Sequence, residues 1–256
     1  MVAAELFAEG PAGRFDMARV VRRTFGVIRR NLIPFCGLAV VFGALPYLVV
    51  TLGGQQVRTE AASFTNVMVS IVGWVVTTVC SYTLQAAIIY CTVKDLNGKK
   101  PSLEAALQVG LRNFLALFGL AIVMGLGLGL AFVLLIVPGC MLMAAWAVAV
   151  PAVVMENKGV GESLSRSSRL TKGSRWPVFG LIAVYSIVVI GLSMGLAAGG
   201  VVSGQTAGVT VVQALVMAAI TVVTSVVGSA GGAAIYCELR AVKEGVGVEA
   251  LASVFD

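Results

Sequence analysis

Six long apolar stretches dominate this chain: Leu32–Gly54, Phe64–Cys91, Phe114–Val137, Cys140–Met155, Val178–Val202 and Val209–Cys237. None of them holds an Asp, Glu, Lys or Arg. A helix needs ~20 apolar residues to cross the hydrocarbon core, and only the fourth stretch falls short of that. The chain is 59% hydrophobic and 12% charged. A soluble domain carries about 25% charged residues, so too little polar surface remains here to cover a water-soluble core. The sequence therefore predicts an all-α integral membrane protein with six transmembrane helices.

The charges give the orientation. Every Lys and Arg except Arg58 falls before the first stretch, between the second and third, between the fourth and fifth, or after the sixth. Basic residues flanking spans stay on the cytoplasmic side. Both termini are expected there. The fourth stretch is short and holds Pro151, but counting it as a span keeps Lys158, Arg166, Arg169, Lys172 and Arg175 on that same side. The net charge of +6 reads as topology plus attraction to anionic lipid headgroups. It is spread around membrane edges, which argues against nucleic acid as a partner. Residues 1–13 hold Glu5 and Glu9 and no apolar run, unlike a secretory signal peptide, and are expected to form a mobile cytoplasmic arm. Cys36, Cys80, Cys91, Cys140 and Cys237 form no CxxC pair, and no disulfide framework is expected.

Residues 14–256 read as one membrane domain built from three repeats, about 14–91, 102–155 and 160–237, with a cytoplasmic tail over 238–256. The repeats lead into the membrane as RNLIPFCGLAV, RNFLALFGLAI and SRWPVFGLIAV. IIYCTVKDL after the second stretch matches AIYCELRAV after the sixth. Two agreeing signals favour a true repeat. Each unit has two spans, so the units are expected as parallel-repeat hairpins related about the membrane normal.

A helical stripe precedes each hairpin. Phe15, Ala18, Val21, Phe25, Ile28 and Leu32 step by three or four residues, with Arg19, Arg22, Arg23, Arg29 and Arg30 around the rest of the circumference. That pattern predicts an interfacial amphipathic helix with its arginines toward headgroups. Leu103, Leu107, Leu111 and Phe114 repeat it after Pro101-Ser102, as do Val160, Leu164, Ser167 and Leu170 before Gly173.

The stretch from Val137 to Phe179 carries a Pro138-Gly139 turn, Trp146, Pro151, Glu156, Arg166-Ser167, Leu170-Thr171-Lys172-Gly173 and Arg175-Trp176. With Tyr236, Leu239-Arg240 and Lys243-Glu244-Gly245, these residues resemble the membrane domain attached to some bacterial glycerophosphodiester phosphodiesterases. The resemblance runs from about Leu32 to Gly245 and implies a stand-alone relative in the bacterial inner membrane. Ser163 and Ser168 depart from it, standing where an Ala and a large aromatic are usual. The catalytic domain is absent: it would resemble a TIM barrel with His and acidic metal ligands, and this chain has no His. The resemblance therefore implies no chemistry and no cofactor.

Arg166, Ser167, Arg169, Lys172 and Arg175 gather cationic and hydroxyl donors at a membrane edge and are the candidate lipid-headgroup site. Tyr82, Gln85 and Gln213 are the candidate lining of a cavity. Gly125, Gly127 and Gly129, Gly191, Gly195 and Gly199, and Gly228 and Gly232 are spaced for close helix packing. Glu156 and Glu238 are expected to pair with nearby Lys or Arg. No intramembrane carboxylate or His is present for proton-coupled transport, and no nucleophile–base pair or metal set for an enzyme. The expected function is a non-enzymatic inner-membrane protein that binds anionic lipid or scaffolds membrane partners, as a homo-oligomer or with another protein. The alternative is a transporter, channel or permease-like component for a small neutral or lipidic solute.

Overall fold

The computed structural model describes residues 15–57, 64–202 and 211–244. The arm expected over 1–13, Arg14, the gap with Arg58 and Glu60, Val209, and the tail beyond Glu244 with Gly245 lie outside the described residues.

All regular structure among the described residues is helical. Short α1 (Met17–Arg30) leads into α2 (Leu32–Ala39), a π-turn over Val40–Ala44, and α3 (Leu45–Val57). The long α4 (Phe64–Leu96) follows. Short α5 (Leu103–Arg112) leads into α6 (Phe114–Leu134), then α7 (Ile136–Ala145) and α8 (Ala149–Glu156). Short α9 (Val160–Thr171) leads into α10 (Arg175–Val202) and α11 (Val211–Glu244). Six stretches are long and apolar enough to cross a membrane: Leu32–Gly53, Asn66–Leu96, Phe114–Leu134, Ile136–Glu156, Arg175–Gly195 and Val211–Glu244. The protein is thus a multi-pass helical membrane protein.

Prolines set where these helices start. Pro34, Pro138, Pro151 and Pro177 each occupy the third position of a helix, and Pro46 the second position of α3. The missing proline N–H does no harm there, because the first-turn donors have no intrahelical partner. Pro138 therefore sits inside α7 and does not form the expected turn; Leu135 alone makes it. Pro151 likewise starts α8, which splits the fourth span at Trp146–Val148. In the first span, the backbone ahead of Pro46 relaxes into the π-turn, where Leu45 N–H reaches back to Val40 O.

α4 and α11 pack side by side at the centre. One buried cluster joins Ile89 and Val93 of α4 to Val153 of α8, Leu170 of α9 and Tyr236 of α11. A second joins Val27 of α1 and Phe35 of α2 to Leu84 and Ile88 of α4 and to Ala230 of α11. Both gather near the ends of the spans where the short helices sit, here called the basic end. Toward the other end the helices are largely exposed: in α6 only Leu117 and Leu120 are buried.

Of the eight spaced glycines, Gly199 has surroundings that lie outside the described residues, and two of the other seven take close packing. A Cβ on Gly127 would lie 2.5 Å from the Trp146 ring, and one on Gly228 2.6 Å from the Tyr185 hydroxyl. Gly125, Gly129, Gly191, Gly195 and Gly232 have nothing within 4 Å of that position.

Candidate functional site

Carboxylates at the ends of α4, α8 and α11 organise the basic end. Glu238 is fully buried. It accepts from Arg19 Nη1 at 2.9 Å and Arg23 Nη1 at 2.6 Å, both on α1. Asp16 caps that helix, accepting from the Ala18 and Arg19 N–H groups. Burial pulls the Arg23 guanidinium below its ordinary pKa, and Glu238 offsets part of that. Arginine nevertheless keeps its proton at physiological pH.

This pairing corrects the expected orientation of α1. Val20, Arg23, Thr24 and Val27 face the protein. The stripe residues Ala18, Val21, Phe25 and Leu32 are exposed, as are Arg22 and Arg29, while Phe15 and Ile28 are half-buried. Two arginines turn inward because a buried carboxylate elsewhere in the chain must be compensated, which outweighs the local amphipathic pattern. In α5 the small residues Ala106 and Gly110 face inward, with Leu103 and Leu111 exposed. A Cβ on Gly110 would lie 2.8 Å from the Thr83 carbonyl oxygen, so α5 rides directly on α4. α9 follows its expected stripe, burying Leu164, Ser167 and Leu170.

Glu156 is the second centre. Arg166 Nε donates to it at 2.9 Å, and the Tyr236 hydroxyl donates to it at 2.8 Å. Lys158 also pairs with Glu156, while Arg166 and Arg240 both hold Glu244. Burial lowers the pKa of Arg166, but the bonds from Glu156 and Glu244 together raise it above the ordinary guanidinium value. The third centre is Asp95, bound by Arg30 Nη2 at 2.6 Å and by Asn31 Nδ2 at 3.1 Å.

Of the five expected headgroup residues, two are used internally. Arg166 belongs to the Glu156 and Glu244 network. Ser167 is buried against the break in the fourth span, donating to Ala145 O at 2.7 Å and accepting from Val148 N–H at 3.2 Å. The Thr171 hydroxyl adds to it, 2.9 Å from Ser167 O and 3.3 Å from Ala145 O. Non-helical backbone at membrane depth persists only where the protein satisfies it, and α9 supplies that here. Thr171 was missed as a site residue, although its place four residues after Ser167 puts both hydroxyls on one face.

Arg169 and Lys172 are exposed and make no ion pair among the described residues. Arg175 is half-buried, and its Nε has no partner among the described residues. Lys243 joins this corner: its ammonium lies 3.8 Å from where a Cβ on Gly173 would stand. Gly173 holds φ at +90°, a left-handed conformation that glycine adopts at no cost. That turns the chain between α9 and α10 and sets the turn that carries Lys172 and Arg175 beside Lys243.

The expected cavity residues are not brought together. Tyr82 is half-buried, its ring 6.4 Å from that of Phe114. Gln85 sits among buried Leu84, Ala86 and Ala87 in the half of α4 near the basic end. Gln213 lies in the first turn of α11, thirteen residues before buried Val226, or about 20 Å along the helix axis.

Comparison with protein-family models, with curated proteins and with solved structures found no match. The resemblance to the phosphodiesterase membrane domains rests on the residues quoted above.

Proposed function

We propose that this is a non-enzymatic membrane protein that holds anionic lipid at its basic end. One observation carries the reading: the cations divide into two classes. Arg19, Arg23, Arg30, Lys158, Arg166 and Arg240 are spent on carboxylates. Among the described residues Arg22, Arg29, Lys94, Lys99, Lys100, Arg112, Arg169, Lys172, Arg175 and Lys243 make no ion pair, and only Glu104 and Glu162 are acids left over. Spare positive charge of this kind at a membrane edge attracts phosphate headgroups. The exposed apolar faces of α1 and α5, beside Arg22, Arg29 and Arg112, suit helices lying in the interface. The positive-inside rule then puts this end, and both termini, at the cytoplasmic face, and the family resemblance suggests a bacterial inner membrane.

The units of short helix plus hairpin are read as three repeats. Asn31 and Asn113 make the same corner, each donating Nδ2 to the carbonyl four residues back, at 3.1 and 2.9 Å. Lys94 lies over Tyr90 and Arg240 over Tyr236, at 5.4 and 5.7 Å from the ring centroids. Self-association is a second reading, supported by the open glycines Gly191 and Gly195 on the largely exposed α10.

The test is lipid retention by native mass spectrometry after supplying phosphatidylglycerol or phosphatidylcholine to the detergent-solubilised protein. The natural chain is expected to retain phosphatidylglycerol selectively. A Lys172→Ser, Arg175→Gln, Lys243→Ser variant is expected to lose about a hundredfold of that preference, at ~1 kcal/mol per cation. Equal retention of the two lipids by the natural chain would refute the reading. A defined oligomer without selective lipid would favour the scaffold.

A further inference from the structure

The hairpin of α6 and α7 has a composition of its own. From Phe114 to Met155 no side chain carries a charge, an amide, a hydroxyl or a phenol. Its turn is a single residue, the extended Leu135 between Leu134 of α6 and Ile136 of α7. The turn also uses its own backbone groups. Leu135 N–H donates to Ala131 O at 3.0 Å and Gly139 N–H to Leu135 O at 3.2 Å, and Pro138 has no N–H to satisfy. Yet Val133, Leu134, Leu135, Ile136 and Val137 are 63–84% exposed.

Helix lengths say where this tip lies. α6 has 21 residues, about 31 Å at 1.5 Å per residue, against about 30 Å of hydrocarbon. It starts two residues after Arg112 at the basic end, so a tilt beyond about 18° keeps its tip short of the opposite boundary. The average tilt of about 20° removes roughly 2 Å of reach. The central helices are far longer: α4 has 33 residues and α11 has 34, about 50 Å each.

We propose that the α6–α7 turn ends inside the hydrocarbon, its tip against acyl chains of the leaflet opposite the basic end. The second hairpin then contributes no loop to that surface. The tip continues the apolar surface of the spans without a polar residue to mark a boundary, which is why lipid is assigned as its occupant. The inference uses the membrane assignment but not the headgroup reading, so the two fail separately.

The experiment uses single cysteines in a full-length chain with its five native cysteines replaced by serine or alanine, reconstituted in vesicles of phosphatidylethanolamine and phosphatidylglycerol. Leu135→Cys and Ile136→Cys report the tip. Phe64→Cys, at the start of the longer α4 and 79% exposed, is the comparator. A membrane-impermeant maleimide is admitted to both sides by freeze–thaw. Phe64→Cys should label readily, and the tip cysteines at least tenfold more slowly. After labelling in detergent with an environment-sensitive fluorophore and reconstitution, the tip should be quenched by lipids brominated near the chain ends. Maleimide labelling of the tip as fast as the comparator overturns the proposal. So does protection from maleimide without quenching by brominated lipid, which would mean that protein covers the tip.

Discussion

Arg23 of α1 sets its guanidinium 2.6 Å from Glu238 of α11, across 215 residues of chain. The glutamate is fully buried and the arginine side chain is 8% exposed. A buried pair of this kind adds little over an apolar isostere, but removing one partner strands the other charge.

Glu238→Ala should therefore destabilise the protein by about 3–5 kcal/mol, because Arg19 and Arg23 both lose their shared acceptor. Arg19→Ala, leaving the closer Arg23 contact in place, should cost less. Thermal unfolding in mild detergent, followed by tryptophan fluorescence, reads the order. A larger loss for Arg19→Ala would show that Arg23 is not the main counter-charge.

Ser167→Ala removes both the donor to Ala145 O and the acceptor for Val148 N–H. Leaving these buried groups without partners should cost about 1–3 kcal/mol. Ser165→Ala, on the exposed side of the same helix, should stay within about 0.5 kcal/mol of the natural chain. Equal effects of the two would mean that the break in the fourth span is capped some other way.

Gly127→Ala drives a methyl group into the Trp146 ring and should cost about 1–3 kcal/mol by overpacking. Gly129→Ala, two residues on with open space around it, should be neutral or gain up to about 1 kcal/mol from helix propensity. The pair compared in one melting experiment separates packing from propensity.

Arg166→Gln should lower the melting temperature while leaving phosphatidylglycerol selectivity intact, since its guanidinium already serves Glu156 and Glu244. The Lys172, Arg175 and Lys243 variant should do the reverse. Loss of selectivity in Arg166→Gln alone would return that residue to the lipid site.

The number and order of the spans were legible because composition alone sets them: a stretch such as Leu32–Gly54 has nowhere to go but a bilayer. What lay hidden depends on partners distant in sequence. Trp146–Val148 is as apolar as its surroundings; Pro151 marks a helix start just after it, but the hydroxyl partners that satisfy the break come about twenty residues later. The inward turn of Arg23 needs Glu238, which no periodicity within α1 encodes. Arg169 and Arg166 look alike in the sequence; only the placement of Glu156 and Glu244 separates a spare cation from a committed one. Gln85 and Gln213 look like a pair by residue type, yet the register of α4 against α11 holds them at different levels.

The contact between α1 and Glu238 also sets an order of events at the ribosome. At about 5–20 residues per second, translation reaches Glu238 roughly 10–40 s after Arg23. Throughout that interval the first helix is made but its acceptor does not yet exist. It must wait at the membrane as an arginine-bearing segment while the intervening spans are inserted behind it. The sixth described span is the one that gives the first helix its place, so α1 is held only after the five spans before it have been made.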